Sequence, residues 1–94
     1  MFSEPMEQPL AVAEEPQPEK ILIVDDDESI VEVLSHRLAT QGFQPLAAHT
    51  GDAGLQRARD GHPSLILLDL RLPDMDGLTI CQELVDSADT WDIP

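Results

Sequence analysis

Two apolar runs in this sequence stop at carboxylates. Ile21-Leu22-Ile23-Val24 leads straight into Asp25 and Asp26, and Leu65-Ile66-Leu67-Leu68 leads into Asp69. If the runs are neighbouring strands of one sheet, their backbones lie about 4.8 Å apart and the three side chains crowd one rim. Like charges at such spacing are relieved by a raised pKa or by a bound cation. A small set of oxygen-only ligands suits a hard ion such as Mg²⁺, which keeps several of its waters.

The surrounding pattern says what must hold these side chains. Neither run alternates with polar residues, as expected for parallel strands buried on both faces. After the first run, Ile30, Val31, Leu34 and Leu38 are spaced for one face of a helix. Asp27 can cap that helix, Glu28 suits its first turn, and Gly42 supplies the stop. Residues 43–48 predict a second strand, placed at a sheet edge because Pro45 cannot donate to a ladder. Residues 52–60 predict a short helix closed by Gly61, and Pro73 and Gly77 punctuate the loop after Asp69. Leu78, Cys81, Leu84, Val85 and Ala88 then form the apolar face of a third helix, with Cys81 expected to be a buried small hydrophobe. Three β–α units imply an α/β fold, a doubly wound parallel sheet with helices on both faces. In strand order 2-1-3 the first and third strands adjoin, and their carboxyl ends make the crevice where function gathers.

Ile23-Val24-Asp25-Asp26, together with Leu67-Leu68-Asp69-Leu70-Arg71-Leu72-Pro73-Asp74-Met75-Asp76-Gly77, resembles the receiver domain of two-component response regulators. The resemblance covers residues 20–94 and implies a flavodoxin-like sheet. It implies that Asp69 is the phosphoacceptor, that Asp26 ligates Mg²⁺ directly, and that Asp25 holds a metal-bound water. Arg71 would contribute its backbone carbonyl to the ion, with its side chain in solvent. The implied donor is the phosphohistidine of a sensor histidine kinase or phosphotransfer protein, and the domain accepts phosphate rather than acting as an enzyme. The chemistry agrees, since a carboxylate attacks a phosphoryl group once the approaching anion is neutralised and held in line. The N-terminus of the first helix would add a favourable field, and Gly77 would shape the loop by taking a positive φ.

The family's switch Ser/Thr and its Lys have no counterpart here. Lys20, the only lysine, precedes the first strand, and Thr90 comes before a fourth strand would begin. The expectation is therefore a truncated receiver, in which phosphorylation is impaired and the third strand is an exposed edge open to self-association. The alternatives are a truncated or pseudo-receiver acting only as a binding module, and a fragment of a Mg²⁺-dependent phosphatase. The phosphatase pattern needs a second Asp two residues after the nucleophile, where Arg71 stands. Leu72 to Glu83 partly fits a calcium loop, but Leu72 occupies its first ligand position. Asp74 and Asp76 read as turn-formers. His36, His49 and His62 read as surface residues, Met75 as packing beneath the loop, and Trp91 as covering an apolar edge.

Charge sets the outer bounds. Among 94 residues, 19 acidic side chains face 5 basic ones, for a net charge of −14. That balance opposes direct binding to nucleic acid. A single cysteine excludes an internal disulfide framework. No apolar run approaches the ~20 residues of a membrane span, the opening residues do not read as a secretory signal, and the expected compartment is the cytoplasm. Residues 1–19 hold five Glu, four Pro and no cation, the composition of a disordered acidic leader.

Overall fold

A computed structural model describes residues 17–94, so most of the expected leader lies outside the described residues. Strands β1 (Lys20–Val24), β2 (Gln44–Ala48) and β3 (Leu65–Leu68) alternate with helices α1 (Glu28–Thr40), α2 (Gly51–Gly61) and α3 (Gly77–Asp86). The sheet has the order β2-β1-β3. Both pairings are parallel, with Val24 level with Ala48 on one side and with Leu68 on the other. The α/β fold and the 2-1-3 order anticipated from the apolar runs are those observed.

β1 is central, and its side chains divide between two layers. Leu22 and Val24 enter a core with Ala48, Leu55, Ala58, Leu72 and Ile80, beneath α2 and α3. Ile21 and Ile23 are also buried, and by strand alternation they face the other side, where Val31 of α1 is buried. Gly54 makes this close packing possible, because a Cβ there would lie 2.8 Å from Val24 Cγ1.

Local chemistry sets the helix ends. Asp27 caps α1 by accepting from the N–H groups of Ser29 and Ile30 at 2.9 and 3.3 Å. Past its end Gly42 takes φ +93°, a conformation glycine adopts without strain. α2 begins one residue earlier than its pattern suggests and runs through Gly61; His62, at φ 48°, makes the left-handed turn instead. Thr90 is buried, and its hydroxyl donates to Leu84 O at 2.7 Å, just beyond α3.

The apolar face assigned to α3 needs correction. Gly77 and Ile80 are the buried positions of this helix, and Leu84 packs partly buried against the core. Leu78 and Val85 are 69% and 61% exposed, and Cys81 is exposed too. Cys81 and Val85 line a shallow apolar groove with Ile66, Leu68 and Ile93. The helix therefore carries two adjacent apolar stripes, one packed into the core and the other bordering an open groove beside β3. Trp91 is likewise 65% exposed, beside His62 and Pro63 at the rim of a separate hollow. No helix among the described residues is long and apolar enough to cross a membrane.

Candidate functional site

The site follows from strand register. Because Val24 and Leu68 are paired, the next residue of each strand leaves the sheet at the same level. The ladder runs one step further: Asp69 N–H donates to Val24 O at 2.9 Å, and Asp25 N–H donates to Ala48 O at 3.0 Å. Asp25 and Asp69 are half-buried at this rim and Asp26 is exposed. One carboxylate oxygen from each of the three lies within 4.8 Å of the others.

Two of the three carboxylates are steadied locally. Asp25 Oδ1 accepts from Asp27 N–H at 2.9 Å, and Asp69 Oδ1 accepts from Arg71 N–H at 3.0 Å. Both keep their second oxygen for another partner. Three carboxylate oxygens converging at the rim, two of them on anchored side chains, are a donor set that fits a hard cation retaining water. Asp27 takes up the Ser29 and Ile30 donors of α1, so those N–H groups are not free for a ligand and the dipole of that helix still favours negative charge nearby.

The loop leaving Asp69 is held tightly. Gly77 N–H donates to Leu70 O at 3.2 Å, and Arg71 and Asp76 form an isolated bridge across the loop. Asp76 caps α3, accepting from Leu78 N–H at 3.2 Å. Gly77 is needed for proximity, not for a positive φ: Gly42 is the glycine with that geometry among the described residues, and a Cβ on Gly77 would stand 2.6 Å from Leu70 Cα. Arg71 is exposed.

Asp74 departs from its expected role. Its side chain reaches beyond its own loop: its two oxygens accept from Gly51 N–H at 2.7 Å and Asp52 N–H at 3.0 Å, at the start of α2. Those bonds hold its carboxyl below its ordinary pKa of 3.8. No pattern in the sequence points to this contact, because its partners lie 23 and 22 residues away. His49 is on the surface as anticipated, with Nδ1 3.2 Å from Asp25 O. Lys20 lies at the far end of the sheet, donating its ammonium to Gly61 O at 3.2 Å.

Comparison with known proteins decides the lineage. The profile of the response regulator receiver domain matches residues 21–93. This chain belongs to that family. Among curated relatives, the receiver is 41% identical over 73 residues to a probable transcriptional regulator (ycf27) of Porphyridium aerugineum, covering 78% of this chain and 30% of the relative. It is 43% identical over 65 residues to the alkaline phosphatase synthesis transcriptional regulatory protein PhoP of Bacillus subtilis, covering 69% of this chain and 27% of that protein. Among solved structures, the N-terminal domain of a response regulator receiver protein from Methanoculleus marisnigri superposes with TM-score 0.77 at 35% identity, over 80% of this chain and 61% of the other. A chemotaxis response regulator of Vibrio cholerae superposes with TM-score 0.79 at 27% identity, over 83% and 65%. The receiver thus spans less than a third of those curated relatives and under two thirds of those solved chains. It is a response regulator receiver of the two-component type, and the phosphatase reading finds no support.

Proposed function

We propose that this receiver accepts a phosphoryl group on Asp69 from the phosphohistidine of a sensor histidine kinase or phosphotransfer protein, with Mg²⁺ held by Asp25, Asp26, Asp69 and the Arg71 carbonyl. The observation that carries this reading is the convergence of the three carboxylates to within 4.8 Å at the carboxyl ends of β1 and β3. When bound there, a divalent cation would supply charge neutralisation for the phosphoryl oxygens.

The residues themselves do the rest. Asp69 presents its oxygen from a fixed strand end, with the rotation of its carboxylate limited by the Arg71 N–H. A lone pair on that oxygen forms the new O–P bond as the P–N bond of the donor breaks, and the leaving imidazole takes up a proton. Approach in line is a matter of positioning more than of covalent chemistry. Lys20 is committed to Gly61 at the opposite end of the sheet and is too distant to pair with the incoming phosphate. The cytoplasm is the compartment this reading requires. The edge of β3 is also proposed as a surface through which two copies associate.

The test is chemical. The chain is incubated with Mg²⁺ and acetyl phosphate and examined by mass spectrometry after acid quench. An acid-stable, base-labile phosphoryl adduct that disappears in Asp69→Asn supports the reading. An adduct that persists in Asp69→Asn, or none in the wild-type chain, overturns it.

A further inference from the structure

The carboxylate of Asp74 reaches from the loop after Asp69 to the start of α2. Its oxygens grip the first two backbone donors of α2, which no residue within the helix can satisfy. The helix already has its own cap, since Thr50 Oγ1 accepts from Ala53 N–H at 3.1 Å. The Asp74 contact is therefore a clasp between two segments, added to a helix end that is already capped.

On one side of the clasp is the loop that starts at Asp69. Arg71 N–H is bonded to Asp69 Oδ1, and Leu70 O is bonded to Gly77 N–H. On the other side is the connection between β2 and α2. There Ala48 O holds Asp25 N–H, and the His49 ring meets Asp25 O. The two halves of the acidic site belong to segments far apart in sequence, and Asp74 joins them by a second route besides the sheet. Packing agrees: a Cβ on Gly51 would stand 2.8 Å from Met75 Cβ, so the backbone of α2 rests directly on the residue after Asp74.

We propose that Asp74 is a positioning residue, whose grip on Gly51 and Asp52 fixes the Asp69–Arg71 turn relative to Asp25. Its functional weight rests on the phosphoacceptor reading of Asp69, but the geometric effect does not. A side chain that merely capped α2 would matter to α2 alone. A clasp transmits its loss across the loop to Arg71, whose N–H and carbonyl flank the same turn.

Backbone amide exchange by NMR, with Mg²⁺ titration of the same samples, separates the two. In Asp74→Ala, exchange at Gly51 and Asp52 should quicken, exchange at Arg71 should quicken several-fold, and Mg²⁺ affinity should fall roughly tenfold, the lower end for loss of a residue that orients metal ligands. Asp74→Asn keeps one acceptor oxygen and should fall between the two proteins, which also serves if the alanine variant unfolds. Thr50→Ala is the control, expected to quicken Ala53 and leave Arg71 unchanged. Unaltered Arg71 exchange and Mg²⁺ affinity in both Asp74 variants would overturn the proposal, as would an equal effect from Thr50→Ala. If the adduct test on Asp69 fails while Arg71 exchange responds as described, the phosphoacceptor reading falls and the clasp stands.

Discussion

Asp69 N–H donates to Val24 O at 2.9 Å, so the β1–β3 ladder continues one residue past the end of β3. This bond ties the start of the Asp69 loop to the last residue before Asp25. The separation of the two carboxylates is thereby set by sheet geometry rather than by loop conformation. Strand spacing varies little among proteins, which makes the crowding of charge at this rim a fixed property of the fold.

Fixed crowding has a cost without a cation. Asp26 is exposed, and its oxygen lies within 4.8 Å of those of Asp25 and Asp69. Asp26→Asn should therefore stabilise the metal-free protein. Removing a repulsion of about 1 kcal/mol between water-exposed charges corresponds to a rise of about 4 °C in Tm for a domain of this size. The same change should shrink the rise in Tm that millimolar Mg²⁺ produces in the wild-type chain. Melts with and without chelator measure both, and a fall in the chelated Tm would contradict the argument.

Gly77→Ala sets helix propensity against packing. Alanine gains about 1 kcal/mol over glycine within a helix, but its Cβ would stand 2.6 Å from Leu70 Cα. A backbone atom cannot rotate away, so the loop beside Asp69 must shift. Overpacking of this kind costs about 1–3 kcal/mol, enough to reverse the propensity gain. Urea denaturation should give a lower midpoint than wild type; a higher one would mean that the loop yields freely.

Much of this architecture is legible in the sequence because one pattern serves two purposes. The runs ending at Val24 and Leu68 mark both the buried strands and, through the Asp that follows each, their register. The α3 face was harder to read because Leu78, Cys81 and Val85 are apolar and helically spaced, as are Ile80 and Leu84. Periodicity reveals a stripe without saying which neighbour covers it. Asp74 marks the other limit. Its partners are backbone N–H groups, which every residue but proline possesses, so no side-chain type betrays the contact.

Acid should weaken the Asp74 clasp. The Gly51 and Asp52 bonds hold this carboxyl below its ordinary value of 3.8. A group whose pKa is lowered on folding stabilises the fold above its unfolded pKa, and loses that contribution as pH falls through its folded pKa. The excess Tm of wild type over Asp74→Asn should thus be constant near neutrality and shrink below about pH 4. Other carboxylates titrate in both proteins and cancel in the difference. A gap that stays constant down to pH 2 would show that the charge on Asp74 is not what secures the contact.

The proposed self-association through β3 predicts a distinctive salt signature. Among the described residues β3 forms one edge of the sheet, and Leu67 on it is 38% exposed beside a cavity of about 170 Å³ that Ile23 and Leu34 also line. Pro94 O occupies the N–H of Ile66 at 2.9 Å. By the alternation of a parallel ladder, Leu68 presents its backbone groups to the same outer side. Apolar surface and free ladder groups favour a second copy, whereas a net charge of −14 on each chain opposes it. Salt screens the opposing term over about 10 Å at 0.1 M and leaves the apolar term intact. Sedimentation equilibrium should therefore give a mean mass that rises with protein concentration and rises further with salt. Leu67→Glu, which adds a further negative charge at the exposed edge, should return the mass to that of the monomer. A wild-type chain that stays monomeric at high concentration in 0.5 M salt would rule out this edge as an association surface.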